Sequence, residues 1–592
     1  MGTLRRRSII LICFGLLACS AQGAGATKAE EANLPQDPTM RLVVRELQIK
    51  GNSLISSSEI LEYMPDIYNA SDQPASQAES QFLYDLRPIR KLVSNPGQPV
   101  EVSLRTIQGL TQYILSLYQK NDYSGIYVYV PEGAIKNGTE LVNEILPIQI
   151  LEAPVTAIRV KYYDADRNEV EKGYLRRSAL EKWSPIQRDK VASQKSLDYL
   201  VNLLNLDPDR HVAAVVSRGA EPNTLAIEYD VYEVSPWHYF IQVDNSGTED
   251  REWAPRIGLI NTDLLGFDDR FTALYQVDPD SWDDNYSLFG SYDFPILGPR
   301  LRLNAYGGYS EFNIHPQSGP IDFLGGGTFY GAVLRYNLLQ RNGWFFDVTG
   351  SWSHEESDIT PTLFPQFFAS DIEYDLWGLG ANLHRRNDMS TSSFGASMVQ
   401  SMRTSPQSKF WNAATSTGAR TNAESDFAIY YLTANHNQYL DQNKVQQLRL
   451  AGRWIEPTER LVPAKMTSFG GMYSVRGYEE YEIVADGGIL ASVQYEYDLI
   501  RHSQAVEQEE IGKEIDLRKL APLGFFDYGR TYIKDPVASE REHTSLYSLG
   551  VGVTFEIGEH FSGAVYYGYP LKETTDTDVG DGRVNASAML RW

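Results

Sequence analysis

From Pro236 to Trp592 the sequence has no helical periodicity and breaks into segments of about ten residues in which apolar and polar side chains alternate. WHYFIQVDN (237–245), NYSLFGSYDF (285–294), RLRLNAYGGY (300–309), GTFYGAVLRY (327–336) and YDLWGLGANL (374–383) are examples, separated by Asp/Gly/Pro/Ser turns. In the first, Trp237, Tyr239, Ile241 and Val243 share one face and His238, Gln242 and Asp244 the other, with Phe240 the exception. In the last strand Val584, Ala586, Ala588, Leu590 and Trp592 alternate with Asn585, Ser587 and Arg591, with Met589 the exception. A period of two gives a wall with one lipid-facing and one lumen-facing side. Residues 236–592 therefore predict a transmembrane antiparallel β-barrel of about sixteen strands, fourteen or eighteen fitting almost as well.

Composition removes the main competitors. No apolar run of about eighteen residues follows the first segment of the chain, so a helical membrane protein is excluded. The 37 Tyr, 23 Phe, 10 Trp and 46 Gly suit barrel strands, whose alternation keeps hydropathy low. A net charge of −24 opposes nucleic acid as a partner. Residues 1–26 read as a signal peptide: Arg5 to Arg7, the apolar run Ser8 to Ala18, then Ala24-Gly25-Ala26 as a cleavage site. An alternative is a lipoprotein signal ending at Cys19, which Leu17 fits poorly. The only cysteines, Cys13 and Cys19, fall in this stretch. Cleavage after Ala26 would leave no thiol for a disulfide, a zinc site or a nucleophile.

The intervening sequence is α+β in pattern. RLVVRELQIKGN (41–52) reads as a strand whose alternation slips once before a turn at Gly51-Asn52. Ser56 to Ser58 cap a short helix through Met64, and the Ser/Gln/Asp/Pro-rich segment 65–99 reads as an elaborated connection without a legible role. Leu104, Ile107, Leu110, Ile114 and Leu117 recur at helical spacing, and strands follow near 125–131 and 141–152. The order then repeats: strand 155–163, helices near 178–183 and 190–204, strands 212–218 and 224–234. The expected domains are thus 41–153, 154–235 and the barrel, 236–592. Two consecutive β-α-α-β-β units resemble POTRA domains, the periplasmic modules that precede many outer-membrane barrels; a generic α+β binding module would show comparable periodicity.

The specific motifs lie further on. FGGMYSVRGYEEYEIVADGG (469–488) holds Val475-Arg476-Gly477-Tyr478, and Gly524-Phe525-Phe526-Asp527-Tyr528-Gly529 follows. A lone RGY would be an ordinary loop arginine, and a lone FFDYG a strand entering a turn. Both together, in order and at that spacing, resemble the VRGY loop of the POTRA-barrel superfamily and its wall motif. The resemblance implies a loop folded back into the barrel, with Arg476 paired to Asp527 on the inner wall and Phe525, Phe526 and Gly529 around it. A buried guanidinium needs a carboxylate, and a bidentate pair fixes both position and orientation. Weaker matches are Val243-Asp244-Asn245-Ser246-Gly247, Leu264 to Asp269 and Tyr567 to Leu571. The final Trp592 resembles the C-terminal signal by which barrel-assembly machinery recognises its substrates.

Two POTRA-like units resemble the two-partner secretion transporters of the haemolysin secretion/activation type. That likeness implies an outer-membrane transporter of a Gram-negative bacterium, set in outer-membrane lipid with its N-terminal domains in the periplasm. There the domains capture a secreted partner protein, by strand addition at 125–130 or 212–217, and the partner leaves through the barrel without ATP. The plug helix of some members has no counterpart, and residues 504–519 make a long connection. The alternatives are a barrel-assembly factor with a weak seam between first and last strands, or a porin. No G-x-S-x-G elbow, H-E-x-x-H motif or Walker loop is present, so an enzyme is not expected. Gly378-Leu379-Gly380 and Gly550-Val551-Gly552 lie on strands, the nine histidines lack ligand spacing, and Asp278 to Asp284 reads as a solvated loop. No metal and no cofactor are expected.

Overall fold

The computed structural model describes residues 34–71, 80–136, 139–247, 252–277, 279, 286–310, 326–359, 370–402, 420–506, 512–538 and 540–592. The signal segment 1–26 lies outside them, as does all of the acidic run 278–284 except Pro279. The chain forms two compact units, the first built from residues up to 157 with 186–194 and 218–226, the second from 158–185, 195–217 and 227–592.

In the first unit, Glu46–Lys50 runs parallel to Ile145–Glu152, whose other side pairs antiparallel with Ile126–Tyr129. The slip of alternation within 41–52 marks a change of partner. Arg41–Val44 pairs with Val100–Ser103, the Arg45 N–H donates to the Glu144 carbonyl at 2.8 Å, and Glu46–Lys50 continues in the other sheet. Helix Ser57–Glu62 starts where Ser56 Oγ accepts the Glu59 N–H, and helix Leu104–Lys120 where Ser103 Oγ accepts that of Thr106. Its buried Ile107, Leu110 and Ile114 meet Leu146, Ile148 and Ile150 of the sheet in one core.

The segment 65–99 is part of that core rather than a passive connection. Within it, Ile67–Asn69 pairs with Leu83–Asp85, and helix Arg87–Ser94 buries Ile89 and Leu92 beside Leu86. The Ser- and Pro-rich flanks hid this helix because the apolar stripe is only two turns long.

A second sheet runs in the order Glu169–Val170, Val155–Tyr163, Leu225–Glu233, Arg210–Arg218, with helices Arg177–Trp183 and Gln194–Leu204. The last helix starts at Gln194 rather than 190 because Lys190 is held in a bridge, its carbonyl accepting the Val155 N–H.

The remainder is a closed barrel of sixteen strands. They are β1 Trp237–Asp244, β2 Ala254–Asn261, β3 Arg270–Val277, β4 Tyr286–Pro295, β5 Leu301–Ser310, β6 Gly326–Arg341, β7 Trp344–Ile359 and β8 Ser370–Arg386. The wall continues through β9 Ser390–Met402, β10 Ala428–Tyr439, β11 Gln446–Pro457, β12 Gly487–Tyr497, β13 Leu517–Tyr532, β14 His543–Ile557, β15 Phe561–Pro570 and β16 Arg583–Arg591. Each strand pairs antiparallel with the next, and β16 returns to β1 from Phe240–Arg591 to Asp244–Ser587. Closure leaves no edge, which is what permits strands to cross hydrocarbon. Trp237, Tyr239 and Ile241 are exposed on the outside while Gln242 and Asp244 are buried inside. Trp592 extends the seam, exchanging two backbone hydrogen bonds with Tyr239.

Candidate functional site: the loop inside the barrel

The connection between β11 and β12 turns inward as a short hairpin, Thr467–Phe469 against Ile483–Ala485, with residues 470–482 at its tip. Gly477 has φ +98°, a left-handed backbone that penalises a side chain, and a Cβ there would meet the Gly568 carbonyl carbon at 2.7 Å. A Cβ on Gly568 would in turn sit 2.5 Å from the Gly477 nitrogen. Two glycines thus let the loop lie directly on β15.

Arg476 reaches the wall next to that contact. Its Nε donates to Asp527 Oδ2 at 2.7 Å and its Nη2 to Oδ1 at 2.9 Å, while its backbone N–H also donates to Oδ2. Nη1 donates to Gln494 Oε1 at 2.6 Å, and Ser492 donates to Asp527 Oδ1 at 2.6 Å. The guanidinium carbon lies 3.5 Å from the Phe525 ring centroid and 5.2 Å from that of Tyr566. Asp527 is completely buried and Arg476 nearly so. Such a pair is shielded from salt and holds one geometry, because both carboxylate oxygens and all three guanidinium nitrogens are engaged.

The other residues singled out from sequence divide by strand parity. Phe525 and Asp527 face the loop, whereas Phe526 is 42% exposed on the outer surface. Gly529 leaves room for Val475, whose Cγ2 would be 3.0 Å from a Cβ there. Tyr478 is buried, its hydroxyl 2.8 Å from the Lys572 carbonyl and accepting the Tyr547 N–H. Trp592 is remote from the loop, at the end of the seam.

Sequence reasoning missed the second set of contacts, which reaches the first strand. Tyr473 donates to Asp244 Oδ2 at 2.9 Å; the same oxygen takes a 2.6 Å bond from Arg256 and a 2.8 Å bond from Gln242. On the opposite side of the seam Glu479 pairs with Arg583 of β16, and Glu482 accepts from Thr574 and Thr577. The neighbouring Asn245 behaves as a surrogate strand residue: its side-chain amide donates to the Val584 carbonyl and accepts from the Ala586 N–H, both at 2.8 Å. Ser492 and Gln494 were available from the period-two polar face of GILASVQYEYDL; Tyr473 carried no such signal, because its partner lies 229 positions away. The loop therefore grips wall strands on both sides of the barrel's closure.

The haemolysin secretion/activation protein ShlB/FhaC/HecB family matches residues 225–555. The chain belongs to that family. The family consists of two-partner secretion transporters of the POTRA-barrel superfamily, not of enzymes. Its members are outer-membrane proteins with periplasmic POTRA domains, and this chain is one of them. Among solved structures, CdiB from Escherichia coli matches with TM-score 0.65 and 14% identity over 96% of this chain and 93% of its own. CdiB from Acinetobacter baumannii matches with TM-score 0.58 and 15% identity over the same shares. These likenesses establish a fold that includes the POTRA-like region as well as the barrel. No curated protein matches the sequence.

Proposed function

We propose that this transporter captures a secreted partner protein by strand addition to a POTRA sheet edge and passes it through the barrel as the inner loop is displaced. The observation that carries this reading is the open edge of Arg210–Arg218, which pairs with Leu225–Glu233 alone in its sheet. Val215 and Val216 on it are exposed, the Asn205 side chain occupies only the Val212 N–H and carbonyl near its start, and a sheet edge of this length suits an extended guest. Ile126–Tyr129 is also a sheet edge, with Tyr127 and Tyr129 exposed, but offers only four residues. The longer edge is the better docking strand, since backbone hydrogen bonds accumulate with length.

Export is driven without a nucleotide site, so the loop pinned by Arg476 and Asp527 acts as the element that yields to cargo. Co-expression with candidate secreted partners tests both parts. Arg476→Ala, and separately deletion of residues 41–234, should each reduce partner in the medium while the barrel keeps its heat-modifiable gel migration. If the intact protein exports no partner and its loss instead depletes other barrels from the outer membrane, the assembly-factor reading replaces this one. The seam, closed by five register pairs and by Asn245, is less suited to that role.

A further inference from the structure

β1 follows directly from the periplasmic domains, so its first residue marks the periplasmic rim, and the connections leaving β9, β11 and β13 lie at the outer mouth of the barrel. Buried charges tie these three connections together. Arg460, from the β11–β12 connection, is buried, and its Nε donates to the Thr421 carbonyl, ahead of β10, at 2.7 Å. Its Nη1 and Nη2 donate to Glu540, ahead of β14, at 2.8 and 2.7 Å, and Nη1 also reaches the Lys534 carbonyl at 3.0 Å. Arg420 donates to Asp486 at 2.6 and 3.2 Å and to the Leu461 carbonyl at 2.9 Å. Asp486 also accepts the N–H groups of Leu461 and Lys534, each at 2.9 Å. Two guanidinium groups and two carboxylates thus join segments that share no strand ladder.

One of these segments crosses the mouth. Residues 458–466 belong to no strand. They leave β11 at Pro457, and Lys465 reaches Glu355 of β7 at 2.5 Å, with its ammonium 5.1 Å from the Tyr374 ring of β8. The chain then turns back, and Phe469 lies against β12 and β13, where a Cβ at Gly488 or Gly529 would come within 2.7 or 3.4 Å of its ring. Along this chord Leu461, Val462, Ala464 and Met466 are buried in one apolar cluster with Ile372 and Leu376 of β8. Two backbone hydrogen bonds add to the side-chain anchors: Glu424 N–H to the Arg460 carbonyl at 3.0 Å and Thr458 N–H to the Ala428 carbonyl at 2.8 Å.

We propose that residues 458–466 form a strap that closes the outer mouth, latched by Arg420 and Arg460 and released separately from the Arg476 anchor at the loop tip. The wall strands hold one another through their own ladders and need none of these contacts. A strap held mainly by side chains can swing clear without unpairing a strand. Removing a guanidinium leaves its buried carboxylate unpaired, so loss of the latch is a large and measurable change. An exported chain would meet two closures in series, the tip against β13 and β15 and the strap at the outer rim. That consequence rests on the export reading; the closure itself is a property of the empty barrel.

Single-channel recording of the purified full-length protein in planar bilayers tests the strap without cargo. Arg420→Gln/Arg460→Gln should raise the fraction of time spent open about tenfold, while residues 470–482 stay as resistant to added protease as in wild type. Heat-modifiable migration verifies that each barrel is folded. In Lys465→Cys/Glu355→Cys a short bifunctional methanethiosulfonate reagent bridges strap and wall, with each single-cysteine variant as the control. Bridging should bring openings below the wild-type level, suppress those that Arg476→Ala adds, and be reversed by reductant. An unchanged open fraction in a folded Arg420→Gln/Arg460→Gln barrel overturns the proposal. So do openings accompanied by cleavage of the tip, which mark one loop moving as a whole, and a bridged strap that leaves the Arg476→Ala openings intact. A strap that behaves as expected in a protein that exports no partner stands while the export reading falls; export that persists through a bridged strap does the reverse.

Discussion

At the scale of single residues, the loop depends on a few contacts that tolerate little change. Removing Arg476 leaves Asp527 buried and uncompensated, a change that costs about 3–5 kcal/mol in a dry interior and less beside a wet lumen. Arg476→Ala and Asp527→Ala should each raise the open conductance of the barrel in planar bilayers, with the double variant little worse than either single one. Arg476→Lys should not restore the closed state, because one ammonium cannot satisfy Asp527 and Gln494 together while lying flat on Phe525. Gly477→Ala meets both a φ of +98° and the Gly568 backbone. It should lift the loop from β15 without unfolding the wall, and cleavage within 470–482 by added protease reads this directly.

At the scale of elements, two features of the N-terminal half can be measured. Helix Arg87–Ser94 is a piece of the first core, so Ile89→Ala should lower the first unit's stability by about 2–4 kcal/mol, seen as an earlier transition in a thermal melt. The turn after β2 holds Arg210 among Asp207, Asp263 and Asp268. Burial pushes the Asp263 carboxyl up to about 7 against the opposing pull of Arg210, and burial raises Asp207 and Glu233 as well. A folded value above the ordinary carboxylate value means that the stability from this group is fully present at low pH, below about 4. It is lost as pH rises through about 7. Asp263→Asn should flatten the change in melting temperature between pH 5 and pH 8, and an unchanged slope would contradict the assignment.

At the scale of the whole molecule, the barrel is closed by one seam, and a side chain contributes to it. Asn245→Ala removes two hydrogen bonds to β16 and leaves the Val584 carbonyl and Ala586 N–H to water, at about 1 kcal/mol each. The variant should lose heat-modifiable migration at a lower temperature than wild type. Asp244→Asn changes the neighbouring contact to Tyr473 and Arg256 and should affect loop protection instead. Separate outcomes would show that closure of the wall and docking of the loop are distinct functions of adjacent residues.

Much of this was legible in the sequence, for reasons that are local. Alternation at period two determines which side of a strand meets lipid, so Trp237, Tyr239, Val584 and Leu590 orient β1 and β16 by sequence alone. Helical spacing marked Leu104–Lys120, and the paired motifs around Arg476 and Asp527 marked the loop and the wall it touches. Strand count was bounded rather than determined, because turn lengths vary freely. Tertiary structure alone decided the rest. A tie between Tyr473 and Asp244, the facing of Arg302 and Arg335, and the partner change at Arg45 all depend on register between strands. Register is a property of two segments at once, and no periodicity within one of them records it.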